Sequence, residues 1–145
     1  MSNSVLFDPN ELNTEQTTFL QTKLEKASSS PDRDGCRTFL PKSRVSGGKY
    51  GRLRTRPDIG ELFGDKNRGY NASKLLYCLY NGVVWLDTMD VECSHLCGYK
   101  LCMEITHIAF EPHDINTNRT EHHSSFDCNG NHGSYDDCII KSYIP

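Results

Sequence analysis

The sequence predicts a small α+β domain whose apolar residues are too few to hold it together on their own. The chain has 145 residues, enough for one domain with a modest core, and 36% of them are hydrophobic. It also carries seven Cys and six His, a high number for this length. Apolar residues recur at helical spacing near the N-terminus and alternate with polar ones farther along. These observations predict short helices and strands that need a second source of stability.

We divide the chain into an N-terminal tail and amphipathic helix over residues 1–32 and one domain over residues 33–145. Residues 1–7 are expected to form a loose tail. A helix is expected over residues 9–27, because Asp8 can cap its first turn. The apolar positions of this helix form one stripe, at Leu12, Phe19, Leu20 and Leu24. The stripe favours a packing role for the helix.

Residues 36–56 predict a basic antiparallel β-hairpin that turns at Ser46-Gly47-Gly48. Between positions 42 and 56 this segment has six basic residues and no acidic one: Lys42, Arg44, Lys49, Arg52, Arg54 and Arg56. The formal net charge of −3 argues against a nucleic-acid partner, but local charge decides where a polyanion binds. Two-stranded ribbons fit the DNA major groove, so we expect these residues to contact DNA. The alternative is a basic face that contacts only water.

Short elements are expected between this hairpin and the C-terminal third. Glycines predict a loop over residues 60–69. A helix is expected over residues 71–80, with Gly82 as its C-terminal stop and Cys78 as a small core residue. Residues 83–86, Val-Val-Trp-Leu, predict a short buried strand.

The C-terminal third is rich in Cys and His, which we interpret as metal ligands. No secretory signal peptide is recognisable, so we expect an intracellular location, the nucleus included, where disulfides are disfavoured. Cys97, Cys102 and His107 are spaced as three ligands of a tetrahedral zinc ion, and Cys36 is expected to be the fourth. Ordinary buried thiols with a surface His are the alternative. Cys93 is left outside the ligand set.

A second zinc site is predicted at Cys128, His132 and Cys138, with His122 or His123 as its fourth ligand. The segment is rich in glycine and has few apolar residues with which to fold. Loop residues without a metal are the alternative.

The order of these residues resembles the His-Cys box of homing endonucleases, members of the His-Me finger (ββα-metal) class of nucleases. The matching residues are Ser94-His95-Leu96-Cys97, Cys102, His107, Glu111, Asn116 and Arg119. Upstream, Lys49-Tyr50-Gly51-Arg52 resembles a strand of the same family. The resemblance covers about residues 36–138 and implies a ββα-metal motif built on a zinc-stabilised scaffold.

The resemblance implies a role for each matching residue. His95 is expected to be the general base that deprotonates the attacking water, and Asn116 the single protein ligand of a catalytic Mg²⁺ ion. Arg52 is expected to clamp the phosphate, with Arg54 and Arg56 as competitors. Two structural zinc ions are also implied, the first held by Cys36, Cys97, Cys102 and His107 and the second by His122, Cys128, His132 and Cys138. The family usually has Cys where this chain has His122, and His123 stands beside it.

These roles agree with the chemistry of phosphodiester hydrolysis. An imidazole of near-neutral pKa can take a proton from water, and an amide oxygen can hold a hard cation that keeps most of its own water. His95 and Cys97 alternate along a predicted strand, and Asn116 lies on a predicted helix that starts near Pro112. We therefore expect a strand and a helix to frame one metal site.

The sequence thus predicts a metal-dependent DNA endonuclease. The alternative is a non-catalytic, zinc-stabilised DNA-binding module, as in the Smad transcription factors, whose related scaffold lacks the catalytic pair. A zinc-dependent protein-interaction domain leaves the basic hairpin unexplained. We expect no membrane partner, and a monomer or weak homodimer. Family dimers use a C-terminal arm, whereas this chain ends at Pro145, and a helix face with Phe19, Leu20 and Leu24 offers little area.

Overall fold

The computed structural model describes residues 5–40, 45–46, 50–125, 128 and 135–139. Its helices are α1 (Thr14–Lys26), α2 (Pro57–Leu62), α3 (Ala72–Asn81) and α4 (His113–Ser125). Its strands are β1 (Val5–Phe7), β2 (Val45–Ser46), β3 (Tyr50–Arg54), β4 (Gly69–Asn71), β5 (Trp85–Leu86), β6 (Glu92–His95) and β7 (Ile108–Glu111). Within the described ranges, the strands pair antiparallel as β1-β5, β2-β3-β4 and β6-β7. The predicted α+β class is confirmed.

Helix α3 lies in the middle of the hydrophobic core, and its sequence defines both ends. The Asn71 side chain accepts a hydrogen bond from the Lys74 backbone N–H at 3.1 Å, which caps the first turn. Gly82 ends the helix in the left-handed conformation, at φ 66°. Leu75 and Cys78 are fully buried between these ends. The predictions of this helix and of Cys78 as a core residue are confirmed.

Helix α1 begins later than the sequence suggested, because two caps follow each other. Asp8 caps only a 3₁₀ turn over Pro9–Glu11, through a 2.9 Å bond from the Asn10 backbone N–H. Asn13 then caps the α-helix in a reciprocal box with Gln16, with bonds of 2.8 and 3.0 Å. The apolar stripe of α1 packs into the core through its buried residues, Leu20 and Leu24. The predicted packing role is confirmed, and these two leucines are excluded from a dimer surface.

The expected loose tail is wrong for residues 5–7, which form β1 and pair with β5. Phe7 is fully buried, and its ring centroid lies 5.4 Å from that of Phe63 and 5.9 Å from that of Tyr70. The aromatic contacts explain why so short a strand is held. The strand expected over residues 83–86 is shortened to β5, whose two residues are half-buried.

Helix α2 occupies part of the loop that the glycines predicted. Pro57 stands at its first position. A backbone N–H at this position would make no hydrogen bond within the helix, so its absence in proline costs nothing. Gly60 is required inside it, since a Cβ there would lie 2.5 Å from the backbone oxygen of Asp65. Gly60 is therefore explained by the close approach of the Asp65 backbone and does not mark a loop.

The basic hairpin is confirmed in a shorter form. Strand β3 pairs with β2 on one side and with β4 on the other. Residues 37–39 do not form the first arm; the Phe39 N–H donates to Leu101 O at 2.9 Å, and the Met103 N–H donates to Arg37 O at 2.6 Å. Of the predicted turn, Ser46 ends β2, while Gly47 and Gly48 lie outside the described residues, as do three of the basic residues, Lys42, Arg44 and Lys49.

Among the described helices, none is long and apolar enough to cross a membrane.

Candidate nuclease centre and zinc groups

The first zinc group assembles as the sequence predicted, from four buried side chains of three separate segments. Its members are Cys36, Cys97, Cys102 and His107, whose ligand atoms all lie within 4.8 Å of one another. The Nδ1 atom of His107 lies 3.6 Å from the Cys36 sulfur and 3.5 Å from the Cys102 sulfur. The group ties the segment after α1 to the end of β6 and to the 3₁₀ turn Ile105–His107.

The geometry and chemistry of this group fit zinc. With Zn–S and Zn–N bonds of about 2.3 and 2.0 Å, a tetrahedral ion separates a sulfur ligand from a nitrogen ligand by about 3.5 Å. The two S···N distances above have that length. A hydrogen bond from the Cys97 thiol lowers the pKa of Cys102, so the group already favours a thiolate, the form that binds metal.

A second group consists of His122, Cys128 and Cys138, again within 4.8 Å of one another. The Nδ1 atom of His122 lies 3.5 Å from the Cys138 sulfur, and the Cys138 N–H donates to the Cys128 sulfur at 3.3 Å. The S···N separation again matches tetrahedral zinc. The predicted fourth ligand, His132, lies outside the described residues.

The neighbouring His123 serves another purpose. Its Nε2 donates to the backbone oxygen of Leu96 at 2.8 Å, which joins α4 to the end of β6. A Cβ on Gly98 would lie 2.6 Å from the His123 ring, so the helix packs directly on the turn after His95. Of the two histidines between which the sequence left the choice open, His122 joins the metal group.

His95 ends β6 with its side chain buried and its tautomer fixed. Its Nε2 lies 3.1 Å from the backbone oxygen of Cys102 and 3.1 Å from the hydroxyl of Ser73. A carbonyl oxygen can only accept, so Nε2 carries the proton and Nδ1 keeps its lone pair. Burial lowers the pKa of His95 to about 4, which keeps the imidazole neutral near pH 7. The ring is therefore neutral, and the lone pair that can accept a hydrogen bond or a proton lies on Nδ1.

Asn116, in the first turns of α4, has its amide oriented by Glu92 on β6. The amide nitrogen of Asn116 donates to Glu92 Oε1 at 2.8 Å. The hydrogen bond from Asn116 lowers the pKa of Glu92, and a second bond from His113 Nδ1, 2.7 Å long, acts in the same direction. An ionised carboxylate can only accept, so this pairing turns the amide oxygen of Asn116 away from Glu92 and leaves it for another partner.

Strands β6 and β7 and helix α4 together form a ββα unit. In the strand pair, Glu92 lies opposite Glu111 and His95 lies opposite Ile108. The guanidinium of Arg119 on α4 donates to Glu111 through Nε at 2.7 Å and through Nη2 at 2.6 Å. Both side chains are about fully buried, 2% and 1% exposed, so this bidentate pair fastens the helix to the strands.

A cleft of about 280 Å³ opens between these elements. His95 and Asn116 both line it, together with Tyr50, Lys100 and Arg119. Cys93, which belongs to neither zinc group, also lies in its wall. A neutral imidazole and an amide oxygen on one cleft can serve as a proton acceptor and as a ligand for a hard cation.

The basic residues of β3 and its end do not line this cleft. Arg52 donates from Nη2 to the backbone oxygen of Gly69 at 3.0 Å. Arg54 is exposed on the same face of the strand, since alternate residues of a strand share a face. Arg56 is bound at 2.6 Å by Glu15 and at 2.6 Å by Asp58. Arg52 and Arg54 remain on an open surface, whereas two carboxylates neutralise Arg56.

Sequence reasoning missed three residues of the site: Glu92, Tyr50 and Lys100. Glu92 stands on the same strand as His95, and Lys100 lies between two predicted zinc ligands. For Glu92 and Lys100, the sequence offered one indication of a role in the site, their position inside the Cys/His-rich segment. The position of a charged residue in such a segment places it near the site. The direction of its side chain depends on the fold of the turn and cannot be read from the sequence.

A family model described as the zinc-binding loop region of homing endonuclease matches residues 65–141, just over half of the chain. The match includes β6, β7, α4 and most members of both zinc groups, while Cys36 lies outside it. No curated protein and no solved structure matches the chain.

Proposed function

Because the chain belongs to the family of the homing endonuclease zinc-binding loop region, we propose that it is an endonuclease that hydrolyses phosphodiester bonds in DNA. The observation that carries this proposal is that His95 and Asn116 line the same cleft, each held in the state that the reaction needs. His95 is neutral with Nδ1 free of the Cys102 contact, and Asn116 has its amide nitrogen tied to Glu92.

In this proposal His95 is the general base. Its Nδ1 takes a proton from the attacking water while the new P–O bond forms and the bond to the leaving oxygen breaks. The carbonyl of Cys102 holds the ring in the correct tautomer throughout. Because Cys102 belongs to the first zinc group, a zinc ion held by this group would also anchor the partner of the base.

Asn116 is proposed to hold the catalytic cation through its amide oxygen. A divalent ion such as Mg²⁺, when bound, supplies positive charge for the scissile phosphate and the leaving oxygen. A neutral oxygen ligand suits such an ion and leaves its charge largely intact. Glu92 keeps that oxygen available by engaging the amide nitrogen.

DNA is proposed to approach over the outer face of β3. Arg52 and Arg54 are exposed there, and Tyr50 on the same face reaches the cleft. Cations along one strand face provide phosphate contacts that position the duplex without reading its sequence. Lys42, Arg44 and Lys49 belong to the same basic segment of the sequence and are proposed to contribute further contacts with DNA.

The proposal is tested with supercoiled plasmid and zinc-loaded protein, by adding or omitting Mg²⁺ without a chelator. We expect nicking that depends on Mg²⁺, retained by Asn118→Ala and lost by Asn116→Ala. Asn118 is a matched control because it lies on α4 but does not line the cleft. DNA binding by the wild-type protein without cleavage at any Mg²⁺ concentration would contradict the enzyme and favour a non-catalytic DNA-binding module.

A further inference from the structure

The proposed function requires a positive charge in the cleft. Neither His95 nor Asn116, the two residues given a role there, supplies it. A phosphate entering it carries negative charge, which increases as the leaving oxygen departs. Two basic side chains, Lys100 and Arg119, line the cleft. Only one of them is free to meet a phosphate.

Arg119 is fully engaged inside the protein. Its side chain is 2% exposed, two of its nitrogens bind Glu111, and Nη2 also donates to the backbone oxygen of Asp136 at 2.6 Å. The carboxylate of Glu111 neutralises its charge. Arg119 therefore contributes to the wall of the cleft and not to the binding of an anion.

Lys100 has the opposite environment. It is exposed, and among the described residues no carboxylate forms an ion pair with it. Its Nζ lies 5.3 Å from the ring centroid of Tyr50, which also lines the cleft. A cation over an aromatic face is attracted weakly, so Tyr50 holds the ammonium near the cleft without neutralising it.

The backbone that carries Lys100 is fixed on both sides. Cys97 and Cys102, which flank it, are buried members of the first zinc group. Between them the Gly98 N–H donates to His95 O at 2.9 Å, and the Cys102 N–H donates to Tyr99 O at 2.9 Å. The turn that carries Lys100 is thus built onto the residue proposed as the base.

We propose that Lys100 binds a non-bridging oxygen of the scissile phosphate, in the place that sequence reasoning gave to Arg52. This inference rests on the proposed nuclease function and adds the residue that receives the substrate. An ammonium is a compact point charge on a flexible stem, which suits an anion that moves as the reaction proceeds. Arg52 and Arg54 then contact phosphates farther along the strand.

The experiment compares Lys100→Met, Lys100→Arg and Lys66→Ala with the wild-type protein. Lys100→Met keeps the aliphatic stem over Tyr50 and removes only the charge. Lys66 is exposed and does not line the cleft, so it controls for the loss of one positive charge. Melting curves and zinc content verify that each variant is folded.

We expect Lys100→Met to lower the single-turnover cleavage rate at saturating Mg²⁺ and DNA by roughly 100-fold. Its DNA affinity is expected to fall by less than about tenfold, with the salt slope reduced by about one. Lys100→Arg is expected to restore much of the rate. Cleavage by Lys100→Met at the rate of Lys66→Ala would overturn the assignment while leaving the nuclease proposal intact.

The salt slope also tests the assignment if the wild-type protein does not cleave. In that case the nuclease proposal fails by itself. A slope equal for Lys100→Met and Lys66→Ala then overturns the phosphate contact as well, whereas a smaller slope for Lys100→Met supports it.

Discussion

At the scale of single residues, the states of His95 and Asn116 in the cleft are set by neighbouring groups. The carbonyl of Cys102 fixes the protonated nitrogen of His95, and the carboxylate of Glu92 fixes the amide of Asn116. Neither partner acts on substrate in this account. Both are positioning residues, and the loss of such a partner affects the group that it orients.

The Glu92→Gln variant tests whether the Glu92 carboxylate orients the amide of Asn116. A glutamine side chain both donates and accepts, so it no longer determines which end of the Asn116 amide faces away from it. We expect the Mg²⁺ concentration for half-maximal cleavage to rise by about 10- to 100-fold, with DNA affinity in the absence of Mg²⁺ unchanged. A titration of cleavage rate against Mg²⁺ provides the measurement.

His113→Ala is the matched control, since it removes the other hydrogen bond to Glu92 from a side chain that is 80% exposed. A smaller shift than that of Glu92→Gln is expected. Equal Mg²⁺ requirements for Glu92→Gln and the wild-type protein would show that the carboxylate does not orient Asn116.

The members of the first zinc group were predictable from the sequence, whereas the contacts of the basic residues were not. The spacing of Cys97, Cys102 and His107 encodes a metal group because ligand spacing is local. Arg56 lies in an uninterrupted run of basic residues, yet Glu15 and Asp58 neutralise it. Glu15 lies on α1, so only the tertiary fold could reveal that pairing.

At the scale of elements, α4 is held by polar groups instead of an apolar face. Among its residues only Arg119 is buried. It is attached to β7 through the pair with Glu111, to Leu96 just after β6 through His123, and to the C-terminal segment through the group that contains His122. Removal of one of these attachments should therefore weaken the helix that carries Asn116.

Arg119→Met is expected to lower the free energy of unfolding by about 3–5 kcal/mol, because it leaves Glu111 charged and buried without a partner. Urea unfolding of zinc-loaded protein measures the change. Adding Glu111→Leu should recover most of the loss, since an apolar pair does not require desolvation of a charge. Recovery is expected to be incomplete because Asp136 O also loses its donor. A double variant as unstable as Arg119→Met would argue against a buried ion pair.

Elements with caps and apolar periodicity were predictable, and those defined by long-range contacts were not. Asn71 and Gly82 define α3 within the sequence itself. Strand β1 depends on β5 and on the rings of Phe63 and Tyr70, which are distant in the chain. Helix α2 was not predicted because Gly60 was interpreted as part of a loop. The close contact with Asp65 that requires this glycine cannot be seen in the periodicity of the sequence.

At the scale of the whole molecule, two candidate zinc groups supplement a hydrophobic core that does not extend to α4. The core is built around α1, β1, β3 and α3 and reaches Met103 and Ile108 beside the first zinc group, whereas none of its described members comes from α4, which carries a member of the second group. Metal ligation at such sites contributes directly to folding, because the ligands are not preformed in the unfolded chain.

We expect elemental analysis after extensive dialysis to find two zinc ions per chain, and prolonged chelation to unfold the protein. His122→Ala is expected to retain one zinc ion, because His122 contacts Cys138 within the second group. His123→Ala is the matched control and should retain both, since His123 binds a backbone oxygen. Loss of zinc from His123→Ala but not from His122→Ala would reverse the ligand assignment.

The central claim is that His95 acts as the base of a nuclease on a zinc-stabilised scaffold, and the His95→Ala variant tests it most directly. The measurement is the single-turnover cleavage rate of DNA at saturating Mg²⁺, beside the zinc content and DNA affinity of the same preparation. We predict that the rate falls by about 10²–10⁴-fold while zinc content and affinity persist, because only the proton acceptor is removed. A His95→Ala variant that retains both zinc ions and cleaves DNA at the wild-type rate would contradict the account.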